Sequence, residues 1–237
     1  MSGEAAHPGY RDDLVWLPIL KGYSGRFDIG YEKFRAAISQ DPTLPEQIRL
    51  LIICAVAAVK KDLAILHSSV ERAKAIGIDR RSLLGVAMTC FISRGMLASE
   101  LLLDTVAQVY PLPDDVSEHA PDADDVHEAA TAHFKGVYGT LPGFIAVLND
   151  HSQAAVDSWY LMTMARREEG HLDAKTVELI LCAINVAEHQ PEFIATHARG
   201  ARAAGASEDE LVAAAMITLP YVGLASWLSA AKGFANE

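Results

Sequence analysis

The chain reads as an all-α fold built from a tandem repeat, and three observations predict it. Apolar residues recur at spacings of three and four along the whole sequence, and no run alternates as a half-buried strand would. Residues 44–95 recur without a gap 128 positions later as residues 172–223. The hydrophobic share is 51%, much of it alanine, the strongest helix former and the one that lets helices approach closely. Leu51, Ile52, Cys54, Ala55, Ala73, Gly77, Leu83, Met88 and Gly95 meet identical partners at Leu179, Ile180, Cys182, Ala183, Ala201, Gly205, Leu211, Met216 and Gly223. The matches are almost all small or apolar, as expected when packing is kept and polar positions drift. A repeat this long implies two domains rather than a solenoid, with residues 1–109 and 126–237 each expected to hold a core, joined by a linker at 110–125.

The elements follow in order. A short leader at 14–40 precedes the first repeat, where Thr43-Leu-Pro-Glu46 has the form of a capping box opening a helix to about Lys60. A second helix is expected over 63–76, closed by Gly77, and a third from Asp79. The linker, with three prolines and five aspartates, has little to bury. The second leader predicts helices over 126–138, 144–149 and 152–169. In the second repeat, Asp173 caps a helix to about His189, Pro191 opens one over 191–204, and Gly205 closes it. The box Ser207-Glu-Asp-Glu210 opens the next. Residues 211–231 carry no charge and are long enough to cross a bilayer. Thr218, Pro220, Gly223, Ser226 and Ser229 within that stretch favour a buried helix or a subunit interface instead.

Bulk properties exclude several functions. A formal charge of −11 argues against nucleic acid, whose phosphates would be repelled. The polar N-terminus has no basic start followed by an apolar run, so a cytoplasmic protein is expected. Cys54, Cys90 and Cys182 sit among apolar residues and read as core positions rather than disulfide partners. The histidines lack metal-ligand spacing, with His127 and His133 six apart and His189 and His197 eight, so no metal is expected.

The copies differ where chemistry could sit: Glu178 and His197 stand opposite Leu50 and Ser69. The segment from Val177 to Leu211, VELILCAINVAEHQPEFIATHARGARAAGASEDEL, resembles the core of the carboxymuconolactone decarboxylase and alkylhydroperoxidase-D (AhpD-like) superfamily. The approach FKGVYGTLPGFIAVL, residues 134–148, is similar as well. The resemblance implies two AhpD-like helical domains and places the family histidine on His197, the family glutamate on Glu178, and the usual cysteine pair on Gln190 and Phe193. Neither of those two can attack a peroxide or resolve a disulfide. The resemblance therefore shifts from the peroxidase branch toward the decarboxylase branch, in which Glu192 and His197 form the matching Glu-then-His pair. It implies a cofactor-free enzyme acting on a small carboxylated or carbonyl compound, with His197, Glu192 and Glu178 catalytic and Arg199 and Arg202 holding a substrate carboxylate. It also implies a homo-oligomer, with two cores per chain building a trimer.

Two other readings stay open: a thiol peroxidase or disulfide reductase using Cys182, and a non-catalytic duplicated scaffold. Each residue has a plainer explanation too. Glu192 suits any first helical turn, Glu178 could serve a structural ion pair, and His197 could be a half-buried structural histidine. The first site, with Leu50, Asp62, Ile65 and Ser69 at the family positions, reads as lost, and His67 beside it as a surface or packing residue.

Overall fold

A computed structural model describes residues 16–111 and 126–235, within which the chain is helical without a strand. The expected linker therefore lies, beyond Pro111, outside the described residues. The first half contains α1 (Leu17–Tyr23), α2 (Gly25–Ser39), α3 (Glu46–Lys60), α4 (Leu63–Ala75), α5 (Arg80–Arg94) and α6 (Met96–Val109). The second contains α7 (His127–Tyr138), α8 (Gly143–His151), α9 (Gln153–Glu168), α10 (Ala174–Ala187), α11 (Pro191–Ala203), α12 (Glu208–Met216), α13 (Leu219–Val222) and α14 (Ala225–Ala235).

The 128-residue offset is visible element by element, since α4 and α11 correspond at both ends. It also reaches further back than the stretches 44–95 and 172–223. Ser24 and Ser152 stand at equivalent positions and cap α2 and α9, each accepting from a backbone N–H, Phe27 at 3.3 Å and Ala155 at 3.2 Å. Capping elsewhere follows the sequence in most places. Asp173 accepts from Thr176 N at 2.7 Å, and Ser207 and Glu210 form the reciprocal box. Thr43 is an exception. The helix opens behind Pro45, whose fixed φ starts the first turn, and Thr43 is left two residues upstream with its N–H donating to Asp41 Oδ1 at 2.8 Å.

The uncharged stretch over 211–231 is not one helix. Where α5 runs unbroken, its counterpart splits into α12 and α13, and Pro220 occupies the position of Ile92. Proline has no N–H to give and its ring collides with the carbonyl four residues earlier. Gly223, at φ 74°, then turns the chain from α13 into α14, as Gly95 does at φ 79° before α6. Among the described residues no helix is long and apolar enough to cross a membrane.

The centre is the pair α3 and α10. Nine consecutive residues of α3, from Leu50 to Ala58, are buried, and α10 is buried on nearly every side from Thr176 to Ala187. A helix apolar all round needs cover all round, and each of these provides part of the other's. They belong to one continuous hydrophobic core that also takes in Leu66, Leu83, Leu102, Ala198 and Leu211. The two separate cores expected from the duplication are thus one shared core. At one end of the pair the equivalent positions 60 and 188 meet, Lys60 Nζ donating to Glu188 Oε1 at 3.2 Å. A satellite cluster of Ala130, Phe134, Ile145 and Val156 joins α7, α8 and α9.

That second leader is anchored across the repeat boundary, because α9 packs on α5. Gly85 of α5 faces the backbone of Gly170 so closely that a Cβ would overlap the Gly170 carbonyl oxygen. Position 213, its equivalent, is a buried alanine. Gly85→Ala should therefore destabilise the protein by about 1–3 kcal/mol through overlap with rigid backbone, despite the helix propensity gained. A lowered urea midpoint with unchanged slope checks this, and a raised midpoint contradicts it.

Candidate functional site

Glu178 is the sole acidic residue of α10, set between buried Val177 and Leu179. His197 lies on α11, which packs along α10. The two side chains meet at 2.8 Å between His197 Nδ1 and Glu178 Oε2, and are only 18% and 25% exposed. With Nδ1–H donating to the carboxylate, the tautomer is fixed and Nε2 becomes the nitrogen available for proton exchange. Among the described residues Nε2 has no hydrogen-bond partner.

The backbone of α11 makes room for this contact. A Cβ on Gly200 would come within 2.8 Å of both Cδ and Oε2 of Glu178. The equivalent position in α4 is Arg72, so a helix in this place does not itself require glycine. The glycine goes with the carboxylate.

Two further helices bring polar groups toward the pair. Arg166, in the last turn of α9, is 6% exposed and lies in the electrostatic field of Glu178. Burial lowers its pKa, an effect Glu178 opposes. Tyr138, at the end of α7, has its phenol pKa raised first by burial and then by Glu178, with Arg199 acting against both. The phenol therefore stays neutral and able to donate. Rings form the surround: Tyr138 meets Phe144 edge-on at 5.9 Å, and Phe144 meets Phe193 at 6.3 Å and Trp159 at 6.3 Å. Phe144 and Phe193 remain partly open to solvent.

The residues singled out by sequence fare differently. Glu178 and His197 are brought together. Glu192 is not with them. It is exposed in the first turn of α11 and forms no side-chain hydrogen bond among the described residues. Five residues on a helix turn through about 500°, so Glu192 and His197 leave the axis about 140° apart. Arg202 is committed elsewhere: it grips Glu208 with two bonds, at 2.6 and 2.9 Å, and reaches the Phe234 carbonyl at 3.4 Å, tying α11 to α12 and α14. It is thus a structural clamp rather than a carboxylate receptor. Arg199 is exposed, on the side of Tyr138. Arg166 was missed, although the repeat carried a signal for it: Ile38 stands at the equivalent position.

At the equivalent place in the first half, Ile38, Leu50 and Ser69 are all buried. His67 is half exposed, 3.5 Å from Glu71. Cys54, Cys90 and Cys182 are free and buried. Burial pushes the Cys90 thiol up to about 12 and the other two up as well, with Glu178 adding to the effect at Cys182. None is a thiolate at neutral pH. Among the described residues no group of three or more histidines, cysteines and carboxylates is arranged to hold a metal ion.

Gly200→Ala separates the pair from the fold. Helix propensity favours alanine by about 1 kcal/mol, so the protein should stay folded while the new methyl displaces the Glu178 carboxylate. The downfield proton resonance of the His197 Nδ1–H should disappear in the variant. Its persistence at the wild-type position would show that the carboxylate had not moved.

Comparisons with known proteins bear on the fold that carries this pair. Residues 153–237, which carry α9 to α14 and both members of the pair, match the carboxymuconolactone decarboxylase family model. A solved structure from Burkholderia xenovorans LB400, described as a gamma-carboxymuconolactone decarboxylase subunit, has the same fold. Its TM-score is 0.60 at 19% identity, over 92% of this chain and 90% of that one. No curated protein sequence matches. The helical unit that holds Glu178 against His197 is therefore similar to the carboxymuconolactone decarboxylase family over residues 153–237.

Proposed function

We propose that the protein is a cofactor-free acid–base enzyme that decarboxylates, or carries out a related lyase or isomerase step on, a small carboxylated carbonyl compound. One observation carries the reading. The same fold, in the other repeat, is built with Leu50 and Ser69 where Glu178 and His197 stand. A half-buried carboxylate–imidazole pair contributes little that apolar packing would not, so its presence in one copy alone points to chemistry rather than stability.

In the proposed reaction the carbon–carbon bond to the substrate carboxylate breaks and carbon dioxide leaves. The bonding electron pair passes into the conjugated carbonyl as an enolate, and the Nε2 proton of His197 is delivered to carbon. The ring then recovers a proton from solvent. Glu178 is a positioning residue in this scheme: it holds the ring by Nδ1 and balances the positive charge the imidazole carries before the transfer. Tyr138 and Arg199 border the site on the α7 side, and Arg199 would meet a carboxylate at its entrance. The peroxidase reading lacks a resolving thiol and an ionised one.

The name of the structural neighbour supplies a first substrate to test, gamma-carboxymuconolactone. On it, or on the carboxylated lactone that proves active, His197→Gln should lower turnover by about 10²- to 10⁴-fold with an unchanged far-ultraviolet circular dichroism spectrum. A wild-type rate in that variant removes His197 from the mechanism. A homotrimeric assembly belongs to the same reading, with α14, where Leu224 and Leu228 are 74% and 66% exposed at and near its start, as a surface to cover. Light scattering at micromolar concentration should give three chains per particle; a monomer contradicts it.

A further inference from the structure

Arg166 is the feature of the site that the acid–base scheme leaves unused. Its side chain is 94% buried, its Nε has no hydrogen-bond partner, and among the described residues no nitrogen of its guanidinium donates a hydrogen bond. Arg80 and Arg94 also leave Nε unpaired, but each spends a terminal nitrogen, on the Pro111 carbonyl and on Asn185 Oδ1. A guanidinium keeps its charge under any working condition, and a buried charge without a partner is costly. Glu178 is the carboxylate whose field reaches Arg166, and its Oε2 is already taken by His197 at 2.8 Å.

Charge counting gives the direction. Around Glu178 stand Arg166 and Arg199, with Arg167 beside Arg166 and acting with it on His133. Arg166 and Arg199 thus act on this carboxylate or on its neighbour Tyr138, in a chain of net charge −11. A buried, unpaired guanidinium favours an anion and is not needed by the fold, since Ile38 fills the equivalent place in the first half with 6% exposure.

We propose that Arg166 is the anchor for the anionic group of the ligand, a planar carboxylate taken into the floor of the site by two parallel N–H···O bonds, with Tyr138, Phe144 and Phe193 closing over the apolar remainder. This specifies the substrate class of the proposed acid–base site and rests on that reading for its consequence in turnover. The binding step itself is independent of His197. The fixed fork of arginine, unlike a lysine ammonium, also sets the orientation of the carboxylate plane.

Isothermal titration with benzoate, and with benzamide and benzyl alcohol as uncharged counterparts, tests it at pH 7. The wild-type protein should bind benzoate and neither neutral compound. Arg166→Met should lose about 10- to 100-fold in benzoate affinity. Arg166→Lys, which keeps the charge but not the fork, should fall between them. His197→Gln should bind benzoate as the wild type does while losing turnover, so failure of the acid–base reading and failure of this one are distinct results. Arg166→Ile, which copies the first half, guards against misfolding and should match Arg166→Met. Undiminished benzoate binding by either apolar variant, equal binding of the neutral compounds, or no benzoate binding by wild-type protein overturns the proposal.

Discussion

Two helices without a polar face set the terms of this structure. α3 and α10 are apolar on almost every side, and neither is covered unless the other packs on it and further helices close around both. The hydrophobic effect scales with apolar area removed from water, so this arrangement removes more than two separate repeats could. The linear duplication thereby becomes one body with a common core. The same packing fixes where chemistry can happen. Once both central helices are surrounded, a polar side chain on either must find a partner on the helix covering it, and α10 carries one such acid, Glu178.

The unequal halves work as an internal comparison. Arg166, Glu178 and His197 in one copy stand opposite Ile38, Leu50 and Ser69 in the other, three polar positions replaced together on three helices. Gly200, opposite Arg72, follows the same division because the carboxylate of Glu178 needs the space a Cβ would fill. One repeat is committed to packing, and its Gly85 admits the backbone that carries α9 onto it. α9 is also the helix that delivers Arg166. The packing repeat thus holds in place one wall of the other repeat's site.

Most of the fold was legible in the residues. The periodicity of three and four, the capping aspartate at 173, the box at 207–210, Pro191 and the closing glycines act within a turn or two of themselves, and they mark the helices they were expected to mark. Thr43 failed as a cap because Pro45, two residues on, determines the first turn. The uncharged stretch over 211–231 was read as one helix although Pro220 lay within it and was sufficient to break it. Glu178 and His197 were identifiable because the repeat made their difference from Leu50 and Ser69 visible.

What tertiary structure decided was which polar groups share a space. Glu192 lies five residues from His197 and points away from it, because helical geometry separates them by about 140°. Arg202, three residues from Arg199, turns instead to Glu208 at the start of the next helix. Arg166, 12 residues before Glu178 along the chain, enters the field of that carboxylate only in a fold that packs α9 on α5. Sequence by itself determined the helices, the duplication and the half that carries the polar set, since those depend on local rules and on a register that can be counted. The composition of the site depended on how helices cross, and crossing is set by side chains far apart in the chain that meet only in the common core.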